Sequence, residues 1–349
     1  MNRINDIKPS DRTVYNAAKK RWDSIAKPLG SLGLFEDAVC RIAAVQGTPD
    51  VDISHRTAVV FCADNGVVCE GVSQSDSSVT ALCAREIAAG RSNINALAKA
   101  YGADVTAIDI GIAEDMYCAD IINRKISHGT KNIAVGAAMT REDAERAVCV
   151  GMDIVKELKV SGADIIVSGE MGIGNTTTSA AIASVLLGLV PREVTGRGAG
   201  LDSAGLARKI SVIERAAKVN DPDKNDPLDV LAKLGGFDIA GMAGLFLGGA
   251  VCHIPIVIDG AISAVSALLA KRIAPDCTDY MLASHVSAEP VGKLLLDAIG
   301  LKPVITAQMR LGEGTGGIML LPLLDGALSI YNNAHRFDDI GLERYTEKK

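Results

Sequence analysis

The chain has 349 residues, of which 48% are hydrophobic, and its formal net charge at pH 7 is −6. That length allows one large α/β domain with a smaller appendage. The acidic balance and the lack of a Lys/Arg cluster argue against nucleic acid or an anionic membrane as a partner. The eight cysteines are dispersed without a C-x-x-C pattern, which is typical of reduced thiols and predicts a cytoplasmic protein. The five histidines show no paired ligand spacing, so no metal site is predicted.

Two local features bear on targeting and on the membrane. The polar residues 1–8 lack the apolar core of a signal peptide. The most apolar stretch, 241–258, is interrupted by glycines, a histidine and a proline, so it predicts a buried helix and then a buried strand rather than a membrane span. His253 lies inside this apolar run and is expected in the core.

Apolar runs of strand length alternate with longer helical patterns along the chain. The predicted strands are 57–63, 104–110, 164–168, 254–258 and 280–283. The predicted helices are 79–98, 141–158, 179–187, 204–219, 239–250 and 262–271. Because the strand patterns are continuously hydrophobic rather than alternating, both faces of the sheet are expected to be covered, which is the arrangement of a parallel α/β sheet.

The two ends of the chain carry helical patterns without strong strand signals. We therefore predict that residues 1–50 and 289–349 pack together as a small helical domain, and that 51–288 form the large domain. The polar stretch 220–227 is rich in turn-forming residues and predicts a surface loop.

Polar residues follow or end each predicted strand. They are Asp64, Asn65, Asp109, Glu170, Asp259, Ser284 and His285. In parallel sheets the chemistry lies in the crevice beyond the carboxyl ends of the strands, so these side chains are expected to meet there.

Residues 168–178 combine glycines with small hydroxylic side chains between a predicted strand and a predicted helix. This layout is typical of a phosphate site, because glycines let an anion approach the free N–H groups of a helix N-terminus. The order matches neither the Walker pattern nor a clean G-x-G-x-x-G. A tight strand-to-helix turn is the alternative explanation.

A second glycine-rich segment, 309–317, holds one carboxylate, Glu313, before an apolar run. A glutamate beside apolar residues is costly to desolvate unless it is paired, so it indicates either chemistry or an ion pair with Arg310. A polar turn capping a helix is the simpler alternative.

Seven motifs occur in order over nearly the whole chain. They are Lys27-Pro28-Leu29-Gly30-Ser31-Leu32-Gly33, Cys62-Ala63-Asp64-Asn65-Gly66-Val67, Gly169-Glu170-Met171-Gly172 with Asn175-Thr176-Thr177, Gly235-Gly236-Phe237-Asp238, Asp259-Gly260, Ser284-His285 with Ser287-Ala288-Glu289, and 309–316. Together they resemble the nicotinate-nucleotide:dimethylbenzimidazole phosphoribosyltransferase family. The resemblance implies transfer of 5-phosphoribose from nicotinate mononucleotide to a benzimidazole, without a cofactor. It also implies a Rossmann-like large domain, a small helical domain from both chain ends and a homodimer.

The resemblance assigns roles residue by residue. It implies that Glu313 is the base that removes the acceptor's N–H proton, and that the charge of Glu170 favours the ribosyl cation. The residues implied to bind the nucleotide and its phosphate are Gly172, Gly174, Asn175, Thr176, Lys209 and Ser287. Asp238 and Asp259 are expected to order backbone N–H groups rather than react. Without the resemblance, the sequence pattern would predict a solvated side chain for Lys209 and a helix cap for Ser287.

The resemblance also implies an acceptor-base pocket made of Ser75, Cys83, Met171 and Leu311. This chain departs from the family there, because Cys83 stands where members commonly have glutamine. Asn65 likewise replaces a common histidine, and Asp76 a proline that often follows the pocket serine. The acceptor therefore stays open among dimethylbenzimidazole, other benzimidazoles, a purine and a phenol.

Two other classes of function are considered. One is a nucleotide-binding regulator or partner subunit, which retention of Glu170 and Glu313 disfavours. The other is a dinucleotide-dependent oxidoreductase, which the lack of a clean G-x-G-x-x-G disfavours.

Overall fold

The computed structural model describes residues 3–346, and over that range it contains six strands and thirteen α-helices. The strands are β1 Arg56–Ala63, β2 Ala103–Gly111, β3 Ile121–Asn123, β4 Ile165–Met171, β5 Ile256–Ile258 and β6 Met281–Ala283. The helices are α1 Arg12–Ser24, α2 Leu34–Gln46, α3 Ser78–Ala88, α4 Asn93–Ala100, α5 Arg141–Val160, α6 Asn175–Leu187, α7 Pro191–Val194, α8 Ser203–Asn220, α9 Pro227–Leu234, α10 Phe237–Cys252, α11 Ala261–Ile273, α12 Gly292–Ile299 and α13 Thr315–Asn333.

The strands form one parallel sheet in the order β3-β2-β1-β4-β5-β6. Alternate residues of the central strand β1 enter two different apolar clusters, with Phe61 on one face and Val60 on the other. The predicted parallel α/β sheet, covered on both faces, is therefore confirmed, and each of the five predicted strands overlaps an observed one. β3 lies outside the predictions because its two isoleucines are flanked by polar residues, Asp120 before them and Asn123-Arg124-Lys125 after, so no apolar run of strand length is present.

The single helix predicted over 79–98 is wrong, because the chain forms two helices there, α3 and α4. Gly90 has a positive φ of 75°, which ends the first helix. Ser92 and Asn95 then form a capping box that begins the second. The stop and start signals lie within three residues of each other, inside an otherwise continuous apolar period.

The glycine-rich helix α10 lies buried against α5, as predicted for the start of the apolar stretch. A Cβ atom on Gly244 would lie 2.0 Å from the Val148 carbonyl oxygen, so only glycine permits this approach. No helix within residues 3–346 is long and apolar enough to cross a membrane. His253 is not in the core: it is exposed and ends α10 at a φ of 53°.

The two chain ends lie together on one face of the sheet. The N–H of Ala26 donates to the His335 carbonyl (2.9 Å), and the N–H of Phe337 donates to the Ser24 carbonyl (3.0 Å). Residues of α1, α2 and α13 share an apolar cluster with the sheet, while α12 packs against α11. The division into 1–50, 51–288 and 289–349 stays a prediction.

Candidate active site

The carboxyl ends of the strands meet one cavity of about 280 Å³. Among the predicted strand-end residues, Glu170, Asp259 and His285 line it. Asp109 is instead paired with Lys125 (Oδ2 to Nζ, 3.3 Å), and Asp64 accepts the Ala113 N–H (2.8 Å). The crevice expected from the parallel topology is therefore present, on the β4-β5-β6 side of the sheet.

Most of the predicted site residues line this cavity. Those that do are Cys83, Glu170, Met171, Gly172, Asn175, Thr176, Ser287, Leu311 and Glu313. Three do not. Gly174 and Lys209 lie directly behind the wall, next to residues that line it, whereas Ser75 is not brought to the cavity.

The glycine loop runs from β4 straight into α6. Gly174 has a φ of 93° at the start of the helix, and its Cβ direction points at Val68 Cγ2, 2.7 Å away. A Cβ on Gly172 would lie 2.5 Å from Asp238 Oδ2. Both glycines are therefore required by the turn itself, and the turn leaves the first residues of α6, including Thr176, facing the cavity.

A buried lysine stands behind that helix N-terminus. Lys209 is only 1% exposed, and its Nζ donates to Thr176 Oγ1 at 2.8 Å. Burial lowers the pKa of its ammonium to about 8, against the opposing pull of Glu289. Within residues 3–346 no carboxylate forms an ion pair with it. A buried ammonium without a counter-ion is suited to receive an anion.

An amide bridges two buried acids on the opposite side of the loop. The side-chain N–H₂ of Asn175 donates to Glu170 Oε2 and to Asp238 Oδ2, the latter at 2.9 Å. Burial, followed by the charge of Asp238, raises the pKa of Glu170 well above its ordinary value. Burial raises the pKa of Asp238 to about 6.

The Glu313 loop has an unusual backbone. Gly312, Glu313 and Gly314 have φ values of 86°, 62° and 92°, so a non-glycine residue is held in the left-handed region between two glycines.

Asp259 anchors this loop at the start of α13. Its Oδ1 accepts the N–H groups of Gly316 (2.7 Å) and Gly317 (3.1 Å), and its Oδ2 accepts the N–H of Gly314 (3.1 Å). The expectation that Asp259 orders backbone N–H groups is confirmed. A Cβ on Gly316 would lie 2.1 Å from His285 Nδ1, so the helix start also packs tightly on the end of β6.

The Glu313 carboxylate is half-buried and only partly satisfied. Its Oε2 is buried and has no hydrogen-bond partner within the described residues. Burial raises its pKa, while the Ile94 N–H at the start of α4 opposes that rise. The alternative of an ion pair with Arg310 is wrong, because no such pair forms in the described chain. A high-energy carboxylate facing a cavity is typical of a catalytic group.

The wall near Glu313 is apolar. Cys83, Met171 and Leu311 line it, and Leu311 is 57% exposed at the mouth. Burial and then the charge of Glu313 raise the pKa of the Cys83 thiol, so Cys83 is neutral at physiological pH.

Sequence reasoning missed several lining residues, among them Ser179, Glu289 and Arg310. Ser179 lies one helical turn after Thr176, so helical periodicity could have identified it. Its hydroxyl is buried without a partner in the described chain. Arg310 was considered only as a partner for Glu313.

The fold and this cavity define an α/β enzyme, and the profile of a family described as "Phosphoribosyltransferase" matches residues 7–342. The chain is similar to the nicotinate-nucleotide–dimethylbenzimidazole phosphoribosyltransferase of Acetivibrio thermocellus, with 46% identity covering 94% of this chain and 93% of that one. The Clostridium acetobutylicum protein of the same name is 44% identical, covering 100% and 99%.

The chain therefore belongs to the nicotinate-nucleotide–dimethylbenzimidazole phosphoribosyltransferase family. A crystal structure of CobT from Thermus thermophilus superposes with a TM-score of 0.90 at 37% identity, covering 95% of this chain and 100% of that one. The resemblance drawn from the motifs is thus confirmed, and the oxidoreductase alternative is wrong. Within residues 3–346 no group of three or more His, Cys, Asp or Glu side chains is placed to hold a metal ion.

Proposed function

We propose that this chain transfers the 5-phosphoribosyl group of nicotinate mononucleotide to 5,6-dimethylbenzimidazole or a related base, giving α-ribazole 5′-phosphate and nicotinate for cobamide synthesis. The observation that carries the proposal is that one cavity is lined both by Glu313, whose buried Oε2 has no hydrogen-bond partner among the described residues, and by the start of α6, which Lys209 contacts from behind the wall. Incubating the purified chain with nicotinate mononucleotide and a panel of acceptors, with mass spectrometry of the products, tests it. Absence of any ribotide product would reject it.

The donor's phosphate is assigned to the start of α6. Thr176 lies in the first turn of that helix, where free N–H groups and the helix dipole favour an anion. Lys209 supplies the compensating charge through its contact with the same threonine. Ser287 is placed at the nicotinate end of the donor: its Oγ accepts the Glu289 N–H (3.3 Å), which leaves the hydroxyl proton free to donate.

The reaction breaks the bond between C1′ and the pyridinium nitrogen, and that electron pair stays on the departing nicotinate. A ring nitrogen of the acceptor forms the new bond to C1′, so the positive charge passes to the acceptor ring. Its other N–H then becomes acidic, and the Glu313 carboxylate takes that proton. The leaving group needs no general acid because it departs from a cation.

The raised pKa of Glu313 suits this role. A carboxylate whose pKa is nearer to neutrality is a stronger base, and it is still ionised when the pH lies above that pKa. Glu170 is proposed to stabilise the positive charge of the donor. Burial favours its neutral form, but a pyridinium or ribosyl cation beside it would lower its pKa and favour the carboxylate.

The acceptor is proposed to lie against Cys83, Met171 and Leu311. These side chains offer apolar contact and one weak donor, so shape rather than hydrogen bonding would select the base. Dimethylbenzimidazole, other benzimidazoles, a purine and a phenol all remain candidate acceptors. Ser75 belongs to this pocket only by resemblance.

A cytoplasmic homodimer is proposed as the working form. The free thiols of Cys40, Cys62, Cys69, Cys83, Cys118, Cys252 and Cys277 support the compartment. Two exposed apolar side chains, Leu82 (56%) and the cavity-lining Leu311 (57%), support burial against a second copy. Light scattering of the purified chain tests the dimer, and transfer activity without added proteins tests the alternative of an obligatory partner subunit.

A further inference from the structure

Resting on the proposed function, we propose that Arg310 binds the carboxylate of the donor's nicotinate ring and makes the enzyme select the acid over the corresponding amide. Arg310 is thus a specificity-determining residue of the leaving-group subsite.

The first observation is that Arg310 is an unpaired cation in the cavity wall. It lines the cavity and its side chain is exposed. Within residues 3–346 no carboxylate, carbonyl or aromatic ring contacts its guanidinium. Most other arginines of the described chain are paired, for example Arg56 with Asp325 and Arg215 with Glu70. An arginine kept free in a cavity offers its whole planar set of donors to a ligand.

The second observation is the charge of the surrounding wall. The other ionisable residues that line the cavity include the acids Glu170, Asp259, Glu289 and Glu313. Those of these acids that are ionised would repel a ligand carboxylate that has no cation beside it. The guanidinium of Arg310 is the positive group in the described wall that can offset this repulsion, and it can hold a carboxylate through two parallel hydrogen bonds.

The third observation places Arg310 beside Ser287. The Ala288 N–H donates to the Met309 carbonyl at 3.0 Å, so the residues that flank this bond, Ser287 and Arg310, come from paired backbone segments. Ser287 and Arg310 therefore line the cavity from adjoining backbone segments. The phosphate of the donor is assigned to another part of the wall. Lys209 and the start of α6 belong to other segments of the chain than Ser287 and Arg310.

The test compares donors that differ only in the group Arg310 is proposed to bind. The values of kcat/KM for nicotinate mononucleotide and nicotinamide mononucleotide are measured for the wild type and for Arg310→Met, Arg310→Lys and Arg192→Met. Arg192 is an exposed arginine that does not line the cavity, so it is the matched control. Nicotinate riboside, which keeps the carboxylate but lacks the phosphate, separates the two anionic groups of the donor.

We expect the wild type and Arg192→Met to prefer the acid, and Arg310→Met to lose about 10- to 100-fold of that preference, as for loss of a charged hydrogen bond. Arg310→Lys should retain part of it. Nicotinate riboside should lose as much with Arg310→Met as the mononucleotide does. The proposal would be overturned if Arg310→Met left kcat/KM unchanged for both mononucleotides. It would also be overturned if kcat/KM fell equally for both, and that result would assign Arg310 to the phosphate.

If the wild type shows no transfer, the proposed function fails by itself. Arg310 is then judged by calorimetric binding of free nicotinate against nicotinamide. A preference for nicotinate that disappears in Arg310→Met supports the assignment, and equal binding of the two rings by the wild type rejects it.

Discussion

Replacing Glu313 by glutamine should abolish most turnover without disturbing the fold. The amide is nearly isosteric, and its carbonyl oxygen can still accept the Ile94 N–H that reaches the carboxylate. The change removes a half-buried charge near Asp259 that has one buried oxygen without a partner in residues 3–346, so no ion pair within that range is lost. What disappears is the group that accepts the acceptor's proton.

The size of the effect follows from that single role. Loss of a general base lowers kcat by about 100- to 10,000-fold, which is about 2.7 to 5.4 kcal/mol of transition-state stabilisation. The KM for nicotinate mononucleotide should change little, because the phosphate is assigned to α6 and Lys209. Rescue by Glu170 should be slight, since Asn175 and burial hold that carboxyl in place.

A pH profile gives the sharper readout. The pKa of Glu313 is raised, so the wild type should lose kcat as the pH falls through that raised value, at a higher pH than an ordinary glutamate would require. Steady-state assays with mass spectrometry should find that this acid limb is missing in Glu313→Gln. Glu193→Gln removes an exposed acid outside the cavity and is the control. A folded Glu313→Gln enzyme with nearly wild-type turnover would refute the assignment.

Three further substitutions test other parts of the site. Lys209→Met should raise the KM for nicotinate mononucleotide at least tenfold, about 1.4 kcal/mol. In the wild type, kcat/KM for the donor should decline above pH about 8, where the buried ammonium loses its proton, and this decline should be missing in Lys209→Met. An unchanged KM would exclude a phosphate role. Asp259→Asn places an amide N–H₂ among three N–H donors, so kcat should fall about 10- to 100-fold and backbone hydrogen exchange over 312–317 should become faster. Unaltered hydrogen exchange would contradict the anchoring role. Cys83→Gln should reorder the acceptors in paired competition assays, shifting values that lie within about tenfold of one another, and an unchanged order would remove Cys83 from the pocket.

The sequence was sufficient where the signal is local. Continuous apolar runs identified the parallel sheet, and the glycines around 172 and 313 marked two loops that do meet at the cavity. It was insufficient where contacts join distant segments. Asp259 receives its hydrogen bonds from residues 55 to 58 positions later, and no spacing rule connects them. The glycine at 174 also has a different cause from the predicted approach of a phosphate, because its Cβ direction is filled by Val68.

The contact between the Cβ direction of Gly174 and Val68 changes how the glycine loop can be tested. A β-branched residue at Gly174 would meet both a φ of 93° and the Val68 side chain, so lost activity would report a distorted turn. Lys209 is the cleaner probe, because its buried ammonium has no ion-pair partner in the described part of the chain, and replacing it with methionine removes the charge without needing new space.

The two glutamates of the cavity follow from one positive charge that moves across it. Nicotinate mononucleotide carries that charge on its pyridinium nitrogen. The transfer moves the charge through the ribose to the acceptor ring, and the charge is removed when the N–H proton of that ring leaves. Glu170, at the end of β4, can stabilise the charge early, whereas Glu313, on the loop before α13, can remove it as a proton. Burial raises the pKa of both carboxyls, so a cation beside either one favours its charged form.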